Sequence, residues 1–149
     1  MRVYFDTSAL AKAYWPETGS GDVEDLLAGA QATFLSDLNR LELRCMLARR
    51  SRTGELNAAQ IQAAWSQFEL DVASEYFDLT SMPQSGWSVA RELIDRVAPI
   101  ALRTLDALHI AIAASLPSVT FVTADRAQRD AARLLGITTI GIALAEAQT

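Results

Sequence analysis

The feature that most constrains this chain is its regular exchange of two hydrophobic periods. Short apolar runs of β type alternate with longer stretches whose apolar residues recur at helical spacing. Val3-Tyr4-Phe5 reads as a buried strand ending at Asp6, and Ser8 to Tyr14 as a helix stopped by Pro16. After the Gly19-Ser20-Gly21 break, Ser20 or Asp22 caps a helix carrying Val23, Leu26 and Leu27. Thr33 to Leu35 is a second strand. Leu38, Leu41, Cys45 and Ala48 mark the apolar stripe of the following helix, which Gly54 ends. Asn57 caps a helix with Ile61, Ala64, Trp65, Phe68 and Val72 on its stripe, and Phe77 to Leu79 is a third strand. Helices over Ser85–Val97 and Thr104–Ala114 lead to the strand Val119–Val122. A helix from Asp125 to Leu135, closed by Gly136, precedes a last strand over Ile137–Ile142. Alternation of this kind with short loops predicts a three-layer α/β/α fold with a central parallel sheet of four to five strands. No repeat or linker interrupts it, so a single domain over residues 1–149 is expected.

Composition adds three bounds. At 149 residues the chain can bury a core without disulfides or a structural metal. The single cysteine, Cys45, falls in an apolar helical pattern and reads as a small core hydrophobe. A carboxylate, Asp6, arrives before an export h-region could form, and the weakly polar run Ala107–Leu116 contains His109 and is too short to span a bilayer. A cytoplasmic location is the expectation.

In open parallel sheets, ligands bind beyond the carboxyl ends of the strands, where the strand order reverses. Asp6 follows the first strand and Asp125 follows the Val119 strand. Either aspartate also suits a helix N-cap, and Glu42 suits the edge of an amphipathic face. Asp106 is different, because Leu102, Leu105, Ile110 and Ala113 surround it at helical spacing. A charged carboxylate in such company needs a partner, either His109 or a metal ion. Two carboxylates about 4 Å apart repel by roughly 4 kcal/mol at an effective dielectric near 20, which corresponds to about three pKa units. Clustered acids therefore need cations, and an all-oxygen donor set suits Mg²⁺ or Mn²⁺ rather than zinc. The chemistry implied is phosphodiester hydrolysis.

The motifs carrying these acids resemble a known family. Val3-Tyr-Phe-Asp-Thr-Ser-Ala-Leu-Ala-Lys-Ala-Tyr14 with Glu17-Thr-Gly-Ser20, Leu38-Asn-Arg-Leu-Glu-Leu43, Leu105-Asp-Ala-Leu-His-Ile-Ala111 and Phe121-Val-Thr-Ala-Asp125 are similar to the four acid-bearing segments of PIN-domain toxins of the VapC family. Arg52-Thr-Gly-Glu-Leu56, Gln60 and the Phe68 helix are similar to their middle region, so the resemblance spans residues 3 to about 142. It implies a Mg²⁺- or Mn²⁺-dependent endoribonuclease, a homodimer, and an antitoxin protein whose tail blocks the active site. Asp6, Glu42, Asp106 and Asp125 match the metal-holding acids. Thr7, Ser8 and Thr123 match hydroxyls that orient the carboxylates or the metal's waters. Products with 5′-phosphate and 3′-hydroxyl ends follow from water attack.

The net charge of −5 argues against a general nucleic-acid binder, but the four candidate acids account for most of it. Arg44, Arg49, Arg50 and Arg52 concentrate positive charge in one short stretch and are candidates for RNA contact. The same run also suits a solvated helix end. His109 reads as a packed, hydrogen-bonded core residue, Trp65 and Trp87 as core or dimer contacts, and Arg103 as a packing residue or surface pair, with screening of Asp106 or phosphate contact as the alternative. Two rival functions fit parts of the pattern. One is a catalytically inactive RNA- or protein-binding module on the same fold, which would have no use for a phosphate-repelling acid cluster. The other is a phospho-acceptor domain with Asp6 as acceptor, which would want a second acid where Thr7 and Ser8 stand.

Overall fold

A computed structural model describes residues 1–144. Residues 145–149, the end of the expected domain, lie outside the described residues. Five strands, β1 (Arg2–Phe5), β2 (Ala32–Ser36), β3 (Asp78–Thr80), β4 (Val119–Thr123) and β5 (Thr139–Gly141), form one sheet. Its order is β3-β2-β1-β4-β5, and every pairing is parallel. The helices are α1 (Thr7–Leu10), α2 (Ser20–Gly29), α3 (Asp37–Arg52), α4 (Ala58–Ala73), α5 (Gly86–Arg96), α6 (Thr104–Ser115) and α7 (Arg126–Leu134). None is long and apolar enough to cross a membrane.

Strand alternation divides the core into two layers. Val3, Phe5, Leu35 and Val122 face one side and meet Leu43, Leu47, Ala64 and Phe68 from α3 and α4. Tyr4 and Phe121 face the other side, against Leu93 of α5, Ile110 and Ile112 of α6, and Ala131 and Ala132 of α7. Sheet covered on both faces explains why β1 and β4 carry almost continuous apolar runs.

The expected three-layer parallel architecture is present, with differences at the edges. The first helix is shorter than expected: α1 ends at Leu10 and tightens into a 3₁₀ turn over Ala11–Ala13. The last strand is Thr139–Gly141 rather than Ile137–Ile142. Asn57 caps α4, accepting from the Gln60 amide at 2.9 Å, and Gly54 follows α3 at φ +73°, where a side chain would be strained.

The larger correction concerns α3. The residues that face the core are Asn39, Leu43 and Leu47, whereas Leu41, 65% exposed, and Cys45 lie on the solvent side. The cause is a buried polar residue at the start of the true stripe. Asn39 is fully buried because its amide accepts from the Ser36 N–H at 2.8 Å and donates to the Phe5 carbonyl at 2.9 Å. Cys45 is thus not a core residue. Cys45→Ser should change stability by no more than about 0.5 kcal/mol in a denaturant titration, whereas a buried site would leave an unpaired hydroxyl and lose roughly 1–3 kcal/mol.

Candidate active site

The strand order reverses between β1 and β4, because the chain passes outward from β1 to β2 and β3 and then crosses to β4 on the opposite side. Asp6 stands at the end of β1, and its N–H reaches the Val122 carbonyl of β4 at 2.9 Å. Ser8 ties the two strand ends together. Its hydroxyl donates to the Asp6 carboxylate and accepts the Ala124 N–H at 3.0 Å. Thr123 accepts the Asp125 N–H at 3.0 Å.

Asp6, Thr7, Ser8, Glu42, Arg49, Arg103, Asp106 and Gln128 line a cleft of about 390 Å³, with Leu38, Leu41, Cys45, Met46 and Leu105 as its apolar wall. The exposed face of α3 is therefore one wall of this cleft, which accounts for the placement of Glu42. Asp6 is 1% exposed, and burial pushes its carboxyl above the usual aspartate range, with His109, Ser8 and the Ala9 amide pulling the other way. Its cap role is also real, since the carboxylate accepts the Ala9 N–H at 3.0 Å. Asp125 likewise caps α7 through the Gln128 N–H at 2.9 Å. One hydrogen bond from the helix end to each carboxylate does not exclude a second role for either acid.

The carboxylates are linked pairwise. The Gln128 side-chain amide, buried and unremarked in the sequence, donates to Asp6 Oδ2 at 2.9 Å and to Asp106 Oδ1 at 3.1 Å. Its position three residues after Asp125, on the first turn of a helix starting at the strand end, is the signal that could have found it. Arg103 links Asp106 to Asp125, with Nε 2.8 Å from Asp106 Oδ2 and a terminal nitrogen 3.2 Å from Asp125 Oδ2. Glu42 is turned aside: Thr7 Oγ1 donates to Oε2 at 2.6 Å, and His109 Nε2 lies 2.5 Å from the same oxygen. Burial pushes the Glu42 carboxyl up, but His109, Thr7 and Arg103 more than offset it and hold the group below the usual glutamate range. Behind it, His109 Nδ1 meets the Tyr4 hydroxyl at 2.8 Å, which in turn meets Ser36 at 2.9 Å.

With these partners in place, no three His, Cys, Asp or Glu side chains among the described residues surround one point closely enough to hold an ion. The donor set nevertheless fits a hard cation, since the four acids offer only oxygen. The Arg103 guanidinium and the Gln128 amide protons stand as positive partners between these acids. The arginine run divides. Arg49 reaches the cleft, Arg44 lies over Trp65 at 5.1 Å, and Arg52 is exposed at the helix end. Arg50 is committed to Glu17 at 2.9 Å and Glu55 at 2.8 Å.

These features define a class: parallel α/β domains with an acid-lined cleft at the topological switch point. Residues 3–134 match the PIN domain, and the chain belongs to that family. It is 31% identical over 140 residues to Ribonuclease VapC45 and to Ribonuclease VapC49, both of Mycobacterium tuberculosis, covering 90% of this chain and 91% of each relative. The fold is similar to that of FitAcB from Neisseria gonorrhoeae, with a TM-score of 0.70 at 17% identity, covering 95% of this chain and 97% of that one. It is also similar to VapBC2 from Rickettsia felis, in a complex with a promoter DNA fragment, with a TM-score of 0.64 at 15% identity and 95% and 99% coverage.

Proposed function

We propose that this protein is a Mg²⁺- or Mn²⁺-dependent endoribonuclease and the toxin of a toxin–antitoxin pair. The observation that carries the reading is the gathering of Asp6, Glu42 and Asp106 into one cleft, with Asp125 joined to it through Arg103, in a chain similar along nine-tenths of its length to VapC ribonucleases. Asp6, Asp106 and Asp125 would hold the cation, and Glu42 would complete or adjust the set. A bound divalent ion supplies Lewis-acid charge at phosphate and makes a water more acidic. Gln128 and Ser8 fix the carboxylates, and Thr7 and His109 fix Glu42. The reaction adds water across the P–O3′ bond, leaving a 5′-phosphate and a 3′-hydroxyl. Its partners are RNA as substrate, an antitoxin protein covering the cleft, and a second copy of the chain, all in the cytoplasm.

The test is digestion of total bacterial RNA with Mg²⁺, with Mn²⁺ and with EDTA, followed by mapping of the ends. Metal-dependent 5′-phosphate ends are expected. Cyclic 2′,3′-phosphates, or cleavage surviving EDTA, would overturn the reading. Of the four clustered arginines, Arg49 is the one assigned to phosphate contact. Arg49→Gln should weaken RNA binding and lower the slope of log affinity against log salt by about one, while Arg50→Gln should chiefly lower stability.

A further inference from the structure

The guanidinium of Arg103 is a full positive charge set between two of the acids to which the proposed chemistry assigns a divalent cation. It donates through Nε to Asp106 Oδ2 at 2.8 Å and through a terminal nitrogen to Asp106 Oδ1 at 3.3 Å and Asp125 Oδ2 at 3.2 Å. The backbone N–H of the same residue also reaches Asp106 Oδ2, at 3.1 Å. As an arginine, the group is a permanent cation. Asp106 and Asp125, the two acids the guanidinium joins, are also two of the three aspartates that would hold the divalent ion. The two cations would compete for the negative charge of these carboxylates, and the divalent one is attracted twice as strongly at equal distance.

Arg103 is also free to leave. Its side chain is 74% exposed, against 6% for Asp106, and it stands at the cleft's rim just before α6. The backbone bond to Asp106 does not depend on the side chain, so the carboxylate keeps one fixed donor when the guanidinium departs. Tethered there, the displaced group remains on the solvent side of the acids, the side from which a nucleic-acid phosphate must enter. Its planar array of N–H donors matches two phosphate oxygens as it matches two carboxylate oxygens.

Building on the nuclease reading, we propose that Arg103 is a further catalytic residue. It neutralises Asp106 and Asp125 while no metal is bound, and it passes to the RNA phosphate once a divalent cation takes those acids. No bond is made or broken by Arg103, since its contribution is charge placed against the phosphate oxygens as the P–O3′ bond breaks.

The two halves predict effects of opposite sign from one substitution. In Arg103→Met, Mn²⁺ binding to the metal-free protein, followed by calorimetry, should tighten roughly two- to fivefold as an exposed competing ion pair is removed. Cleavage of total bacterial RNA at saturating Mn²⁺ should slow by roughly 10- to 100-fold, the scale of a charge-assisted hydrogen bond lost in the transition state. Arg103→Lys, which keeps the charge without the planar donors, should fall between. Weaker Mn²⁺ binding together with slower cleavage and a lower melting temperature would mean that Arg103 is structural, overturning the proposal. Equal cleavage by parent and Arg103→Met, both loaded with Mn²⁺, would overturn it while leaving the nuclease reading intact. A parent that binds Mn²⁺ and cuts nothing sinks the nuclease reading, and the phosphate role with it.

Discussion

Asp6→Asn should lose RNA cleavage by more than roughly 100-fold, beyond the 10- to 100-fold that loss of a supporting residue near a metal costs, while the fold persists. The metal-free variant should melt at the same temperature as the parent or higher. Asp6 is 1% exposed and its carboxyl is pushed up by burial, so at neutral pH the ionised form opposes folding. Because the folded-state pKa is raised, protonation favours the folded protein. Whatever stability Asp6 gives is complete below its unfolded pKa, near 3.9, and is lost as pH rises through the higher folded value. The advantage of the variant should therefore grow from acid toward neutral pH. A gain of 1 kcal/mol would appear as a melting rise of roughly 2–4 °C. Asn retains an oxygen able to accept the Ala9 N–H at the cap, so capping alone predicts full activity. Melting curves in EDTA and in Mg²⁺, run beside cleavage of total RNA, decide between the two. Undiminished cleavage by Asp6→Asn would end the nuclease assignment.

The second large effect is expected at His109. This side chain is 1% exposed and joins Glu42 to Tyr4, whose hydroxyl sits on Ser36 deep between sheet and helices. His109→Leu keeps most of the volume but removes both hydrogen-bonding nitrogens, at a cost of roughly 1–3 kcal/mol for the buried partner left short. The acid limb should change as well. Glu42 is held below the ordinary glutamate range, so it contributes stability above its unfolded pKa of about 4.3, and that contribution is lost as pH falls through the folded value. Without His109 the largest lowering influence on Glu42 is gone, and the parent's loss of stability on acidification should become shallower in the variant. Equal acid slopes for the two proteins would show that His109 does not govern Glu42.

The fold was legible because its signals are local and repeated. Val3-Tyr-Phe and Val119-Thr-Phe-Val122 read as buried strands without any knowledge of their neighbours, since a strand covered on both faces must be apolar throughout. Caps and breakers at Asn57, Gly54 and Asp125 fixed helix ends by chemistry contained within a few residues. The candidate acids at the strand ends were legible for the same reason. Each follows or opens an element whose type the adjacent residues already declare.

What the sequence determined by itself, then, was the alternation of elements, the parallel sheet, and the chain positions of the acids. Only the tertiary structure decided which way α3 faces. Apolar periodicity pointed to Leu41 and Cys45, but a buried Asn39, satisfied by Ser36, Phe5 and Thr7 from other elements, turned that stripe outward to wall the cleft. It also decided the partners of the acids. Gln128 between Asp6 and Asp106, Arg103 between Asp106 and Asp125, and His109 on Glu42 join side chains that are up to 122 residues apart in sequence. The physical reason is the range of the forces involved. Periodicity and capping act within a helical turn or two, whereas the hydrogen bonds and charges that set a carboxylate's state come from whatever the folded chain brings within a few ångströms.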